Sequence, residues 1–212
     1  MSAAAARPVV ILHGLWVPGP LLGSLRSRVG SDGFDARIYS YPSMRLTLRE
    51  NAERLRDWYS ALPAPPHFIA HSMGGLVVAA MLDIVDAPPT RAVFAGTPFA
   101  GCHAAHALRR YPGGASLLGR SMAEWIDGRR CIPDVKHDIG VIAGVFGAGL
   151  GRLIDRELPV PNDGVVAVEE THVPGERDHL IMNVAHSAML FSPEVARQAC
   201  AFIRHGRFDH GT

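Results

Sequence analysis

The stretch Phe68-Ile69-Ala70-His71-Ser72-Met73-Gly74-Gly75-Leu76-Val77-Val78 decides how the rest of the chain is read. It joins an apolar run of strand character to an apolar run of helical character through a turn that holds one serine. Small residues stand two positions before that serine, at Ala70, and two positions after it, at Gly74. A tight strand-to-helix turn needs small side chains at both places, because bulk there would push strand and helix apart. Such a turn holds its serine in a strained conformation, with the hydroxyl projecting and the helix N-terminus behind it, which is the geometry of an activated nucleophile. Ala70 departs from the usual G-x-S-x-G pattern. A capped helix start with an incidental serine is the competing structural reading.

Working outward, apolar runs and helical patterns alternate along the whole length, which argues for an α/β layer structure with a mostly parallel sheet. Residues 8–12 form a continuous apolar run that ends at His13-Gly14, as a buried central strand does. Further strands are expected at 35–41, 67–70, 91–95, 139–146 and 179–184, with a short β-like run at 165–168. Helical spacing covers 21–29 and 74–85. From Thr47 to Leu62 the apolar positions share one face, and Thr47 with Glu50 makes a capping box. Ser192-Pro193-Glu194 opens a last helix ending near Gly206, with serine as N-cap and proline at the first helical position. Residues 99–137 are the least regular part and lie where a cap is inserted, yet the segment is short. No internal repeat or linker is visible, so residues 1–212 are expected to form a single domain.

The bulk numbers agree. A chain of 212 residues, 48% hydrophobic and 19% charged, is globular and long enough to bury a core without staples. A formal net charge of +1 gives no argument for nucleic acid or an anionic membrane as partner. Cys102, Cys131 and Cys200 are odd in number and widely spaced, which suggests neither a disulfide framework nor a metal site. No stretch is long enough to span a bilayer, and the N-terminus lacks the apolar core of a signal peptide. A cytoplasmic location is expected, although a chain trimmed of its leader would read the same.

A serine hydroxyl needs a base, and the base needs an orienting group. Both are expected C-terminal to Ser72, at the carboxyl ends of later strands. Among the histidines, His186 alone sits just after the last strand and before the last helix. His179 would begin that strand, at the wrong end, His172 reads as solvated surface, and His71 is expected to point away from its neighbour Ser72. For the acid, Asp163 in Asn162-Asp163-Gly164 gives the order Ser, Asp, His, though aspartate also forms turns for local reasons. Asp155, Asp178 and Glu169 compete with it. Acyl transfer also requires oxyanion donors. The amide of Met73 is one candidate, and the amide of Leu15, after Gly14, is the other.

With these residues in place, the chain resembles the α/β-hydrolase superfamily from Val9 to Ile203. Ala70-His71-Ser72-Met73-Gly74-Gly75 is similar to the nucleophile motif of the small Bacillus-type lipases. His13-Gly14-Leu15-Trp16, Gly96-Thr97-Pro98 and Asn162-Asp163-Gly164-Val165-Val166 are similar to bacterial lipases and lipase-like esterases more broadly. The resemblance implies a triad of Ser72, Asp163 and His186 and ester hydrolysis through an acyl-enzyme, without metal or organic cofactor. The partner expected is a small-molecule ester or lipid, with Trp16, Val17, Leu21, Phe99 and Met189 lining the acyl site and at most a small cap above it. A thioesterase or acyltransferase on the same fold, and a non-catalytic binding protein of that fold, are the alternatives. A histidine base must be neutral to act, so activity is expected to rise through neutral pH.

Overall fold

The computed structural model describes residues 7–86, 88, 90–128 and 136–211. Cys131, Arg129, Arg130, Pro89 and Pro133 lie outside the described residues. Six strands, β1 (Val9–Leu12), β2 (Ala36–Tyr39), β3 (His67–His71), β4 (Arg91–Ala95), β5 (Asp138–Gly144) and β6 (Asp178–Met182), form one sheet. Its order is β2-β1-β3-β4-β5-β6, and every neighbouring pair is parallel. The chain moves outward from β1 to β2 and then returns to the other side of β1. That reversal of direction is the switch point beside which α/β sheets open a crevice at their carboxyl ends.

Seven helices connect or follow the strands among the described residues: α1 (Gly23–Ser31), α2 (Leu48–Ser60), α3 (Met73–Ile84), α4 (His103–Arg109), α5 (Gly114–Ile126), α6 (Leu150–Ile154) and α7 (Pro193–His205). Strand side chains alternate between two apolar layers, as the two-residue period requires. Val10, Leu12, Phe68 and Phe94 pack with α2, α3 and α5. Val9, Ile11, Ile69 and Val93 pack with α1 and α7. Each such aliphatic or aromatic side chain contributes roughly 1.5–3 kcal/mol when fully buried. β1 and α3 are apolar on all sides for a physical reason: Val9–Leu12 are fully buried, and α3 is buried from Met73 through Leu82.

Local signals place most boundaries. Thr47 Oγ1 accepts from the Glu50 amide at 3.1 Å while the Thr47 amide donates to Glu50 Oε2 at 2.7 Å, so the expected capping box starts α2. Ser192 Oγ accepts from the Val195 amide at 3.2 Å, Pro193 follows, and Gly206 ends α7 at φ 71°. Two expectations are corrected. Residues 165–168 form no strand; Asn162 makes an isolated bridge to Ala167, and a 3-10 turn runs over Val168–Thr171, because the loop closes on its own aspartate. The described part of the segment after Pro98, expected to be the least regular with some helical pattern, is more regular than that. It holds α4 and α5, and α5 is bent at Gly119 (φ 67°, ψ 174°), where an added Cβ would lie 2.7 Å from Met44 Cα. No described helix is long and apolar enough to cross a membrane.

Thr47→Ala removes one side of the capping box, so we expect a loss of about 1 kcal/mol. In a thermal melt that reads as a Tm lower by about 2–4 °C.

Candidate active site

Ser72 is held at φ 54°, ψ −130°. Only Trp16 and Ser72 have positive φ among the described non-glycine residues, and a residue in such a region costs on the order of 1–3 kcal/mol. Three hydrogen bonds fix it there. The Ser72 amide donates to Ala95 O at 2.8 Å, the Gly75 amide donates to Ser72 O at 3.0 Å, and Thr97 Oγ1 donates to the same carbonyl at 2.9 Å. The small residues are needed, though not only for the crossing of β3 and α3. A Cβ at Gly74 would sit 2.7 Å from His13 O and 3.1 Å from Leu12 O, backbone atoms of β1 and the loop after it. At Gly75 it would run into Thr97 Oγ1.

The loop after β1 comes close from the other side. A Cβ at Gly14 would lie 2.7 Å from Ser72 Cβ and 3.2 Å from Ser72 Oγ, so glycine lets Gly14-Leu15 approach the serine. His13 anchors this loop. Its Nε2 accepts from the Tyr41 amide at 3.2 Å, which leaves Nδ1–H to donate to Gly14 O at 2.9 Å. Burial lowers the His13 pKa, in keeping with that neutral ring. Tyr41 stacks on it with centroids 4.4 Å apart and donates through its hydroxyl to His13 O at 2.7 Å.

Asp163 and His186 meet as the sequence order expects. His186 Nδ1 lies 2.7 Å from Asp163 Oδ2, and Asp163 Oδ1 accepts from the amides of Val165 at 3.0 Å and Val166 at 2.7 Å. The carboxylate is an acceptor only, so Nδ1 carries a hydrogen toward it. The His186 amide donates to Asp163 O at 2.9 Å, which adds a main-chain tie to the side-chain bond. Both residues are buried, at 6% and 0% exposure. Gly96 (φ 59°) makes room for them: a Cβ there would lie 3.0 Å from His186 Nδ1 and 3.1 Å from Asp163 Oδ2. Ser72 and His186 line one cavity of ≈190 Å³. Among the described residues no hydrogen bond yet joins Ser72 Oγ to the ring, an open arrangement of the kind that tightens around substrate.

The cavity is mainly apolar and runs under α4, α5 and α6, with Leu108, Leu118, Met122 and Ile154 in its wall. Of the residues expected at the acyl site, Trp16 and Val17 line this cavity, and Leu15, expected as an oxyanion donor, lines it too. Leu21, Phe99 and Met189 do not. Leu21 is 45% exposed, Phe99 packs against Trp125 with centroids 5.5 Å apart, and Met189 is buried in the layer under α7. Trp16 lies at the rim, and its Nε1 donates to Leu117 O of α5 at 2.9 Å. Cys102 also lines the cavity, but burial and then the Glu170 charge push its thiol up to about 12, so it presents no thiolate. A larger open groove of ≈600 Å³ between α1 and α7 is polar and contains none of the candidate residues.

His71 corrects an expectation. Rather than pointing away, it lines the same cavity, tilts against the His186 ring with centroids 4.7 Å apart, and donates from Nε2 to His186 O at 3.0 Å. Its Nδ1 is buried without a hydrogen-bond partner. Burial, and then the neighbouring His186, push its pKa down to about 3. No local pattern marked this residue, nor the supporting part of Thr97, because both depend on strands far apart in sequence.

A family model described as the alpha/beta hydrolase family matches residues 9–210. Among solved structures, the Bacillus licheniformis lipase BlEst2 in its propeptide form aligns with a TM-score of 0.68 at 18% identity over 89% of this chain, which spans 48% of that one. Carboxylesterase CesB (YbfK) from Bacillus subtilis aligns with a TM-score of 0.56 at 17% identity, over 96% of this chain and 85% of that one. A pyrethroid hydrolase from Sphingobium faniae JZ-2 aligns at 0.60 and 12% identity, over 95% of this chain and 98% of that one. A search of curated proteins gave no significant match.

A histidine buried neutral binds its proton in the unfolded chain at its ordinary value of 6.5 but in the folded chain only near 3. Its stabilising effect is complete above the unfolded value and is lost as pH falls from there toward the folded one, at up to about 1.4 kcal/mol per pH unit. His67, pushed down to about 4 by burial and then by Arg7, acts in the same direction. Tm should therefore fall on acidification below about pH 6.5, and His71→Gln, which keeps a donor near His186 O, should flatten that slope by one proton. An unchanged slope would contradict the buried neutral ring.

Proposed function

The chain belongs to the alpha/beta hydrolase family, and from that premise we propose that it is a serine hydrolase of carboxylic esters that works through an acyl-enzyme. One observation carries this reading. His186, bonded through Nδ1 to Asp163, lines the same apolar cavity as a strained serine. Ser72 Oγ attacks the ester carbonyl and gives its proton to His186 Nε2. Asp163 holds the ring tautomer and stabilises the imidazolium. The amides of Leu15 and Met73 receive the oxyanion, a role supported by the close approach of Gly14 to Ser72 and by the place of Met73 at the head of α3. His186 then protonates the leaving alcohol and activates a water that releases the acid.

The partner in this reading is a small-molecule ester whose acyl part enters beneath α4 and α5. The cavity's walls are aliphatic, and its modest volume favours short and medium acyl chains over long ones. The lipase and carboxylesterase names of similar structures support the same chemical class at a coarse level. Protonated Cys102 offers no competing nucleophile.

A fluorophosphonate probe should label Ser72, with labelling lost in Ser72→Ala and His186→Ala. Either substitution should lower kcat by about 10⁴- to 10⁶-fold, and Asp163→Asn by about 10⁴-fold. In a series of chromogenic esters, butyrate and octanoate should be cleaved ahead of palmitate. A folded protein that neither labels nor turns over any ester would sink the assignment, and product partition toward added alcohols would move it to acyl transfer.

A further inference from the structure

At the opposite end of β6 from His186, three side chains converge that the mechanism does not use. Val173-Pro174-Gly175-Glu176 is a tight turn, closed by the Glu176 amide donating to Val173 O at 3.0 Å, with Gly175 at φ 75°. Proline followed by a glycine of positive φ is the pattern of a type II turn. The turn folds His172 back onto Glu176, and β6 brings His179 to the same point. His172 Nδ1 lies 2.8 Å from Glu176 Oε1, His179 Nδ1 lies 2.9 Å from the same oxygen, and the two rings sit with centroids 4.4 Å apart. One ligand atom from each residue lies within 4.8 Å of the others.

We propose that His172, Glu176 and His179 form a binding site for a divalent transition metal ion of the zinc class. The donor set is the first argument. Two imidazole nitrogens and one carboxylate oxygen suit zinc, copper or nickel rather than magnesium or calcium, which prefer all-oxygen sites. Geometry is the second. Bonds of about 2.0–2.1 Å in a tetrahedral arrangement separate ligand atoms by roughly 3.3 Å, so the two Nδ1–Oε1 contacts would open by about half an ångström, and the two ring nitrogens already lie within 4.8 Å of each other.

Orientation is the third argument. Thr171 Oγ1 donates to Val168 O at 2.7 Å, so towards His179 Nε2, 3.5 Å away, it can act only as an acceptor. With an ion on Nδ1, the ring hydrogen sits on Nε2 and points toward this oxygen, an outer contact of the kind that orients a metal-bound imidazole. Glu176 Oε2 is meanwhile fixed by the Val173 amide at 2.8 Å, the kind of outer support that orients metal ligands. The His172 side chain is 57% exposed while those of Glu176 and His179 are 16% and 14% exposed. The site is therefore open on one side, with a fourth position available to water. An ion there would staple the turn to β6, the strand that leads to His186.

The test uses the full chain stripped with a chelator and titrated with zinc against a chromophoric competitor, together with thermal melts. One equivalent should bind, and His172→Ala and Glu176→Gln should each weaken binding at least tenfold. At free zinc 100 times the parent's dissociation constant, Tm should rise by about 5–10 °C, and at the same zinc concentration the rise should fall to about half or less in both variants. His172 is exposed enough for its replacement to fold, so a variant with normal Tm in chelator remains a valid comparison. Zinc uptake unchanged in both variants, or no uptake by the parent chain, would overturn the site. A parent Tm that does not respond to zinc overturns it equally.

Discussion

The backbone of Ser72 is the constraint from which the rest of the site takes its shape. A serine at φ 54° is held against a local penalty, and the structure around it leaves no lower alternative. The amide is bonded to β4, the carbonyl is bonded by both Gly75 and Thr97, and Gly74 is pressed on two carbonyls of the β1 end. Relaxing the serine would break bonds to β4, to the loop after it and to α3, and open a packed crossing. Strain of this kind persists only where surrounding contacts over-determine it.

Around that point the site is built from close approaches of main chain rather than from charge. Gly14, Gly74, Gly75 and Gly96 each stand where a Cβ would meet an atom of another element at 3.2 Å or less. The polar groups are few and their tautomers are set by fixed partners. Tyr41 sets the hydrogen on His13, the His186 carbonyl sets that on His71, and Asp163 sets that on His186. His13 and His71, whose pKa values burial lowers, need little solvation as neutral rings, which lets them share an apolar interior with the cavity.

The fold was legible because its signals are local. Apolar runs of strand length, the Thr47 capping box and the Ser192-Pro193 start each lie within a few residues. The order of Ser72, Asp163 and His186 was legible for a different reason: parallel topology puts their loops on one edge of the sheet, so position in the chain stands in for position in space. What could not be read is where facing matters. Leu21, Phe99 and Met189 were apolar residues in suitable loops, but no pattern tells whether such a side chain turns to the cavity or to the core. His71 was assigned away from the site because adjacency suggests divergence, and only the arrival of the loop at 186 turns its ring into a partner. His172 and His179 read as unrelated until the Pro174-Gly175 turn folds one onto the other.

The two halves of the proposed proton transfer are fastened to parts of the sheet with unequal support. Ser72 follows β3, which has β1 on one side and β4 on the other, whereas His186 follows β6, an edge strand bonded only to β5. Contacts from Phe208 and His210 to Asp178 add to its hold at the amino end, but among the described residues the carboxyl end has no second strand beside it. Edge segments open at lower free energy than central ones. Warming is therefore expected to free the imidazole before it disturbs the hydroxyl, so that the two groups part company while the core still stands.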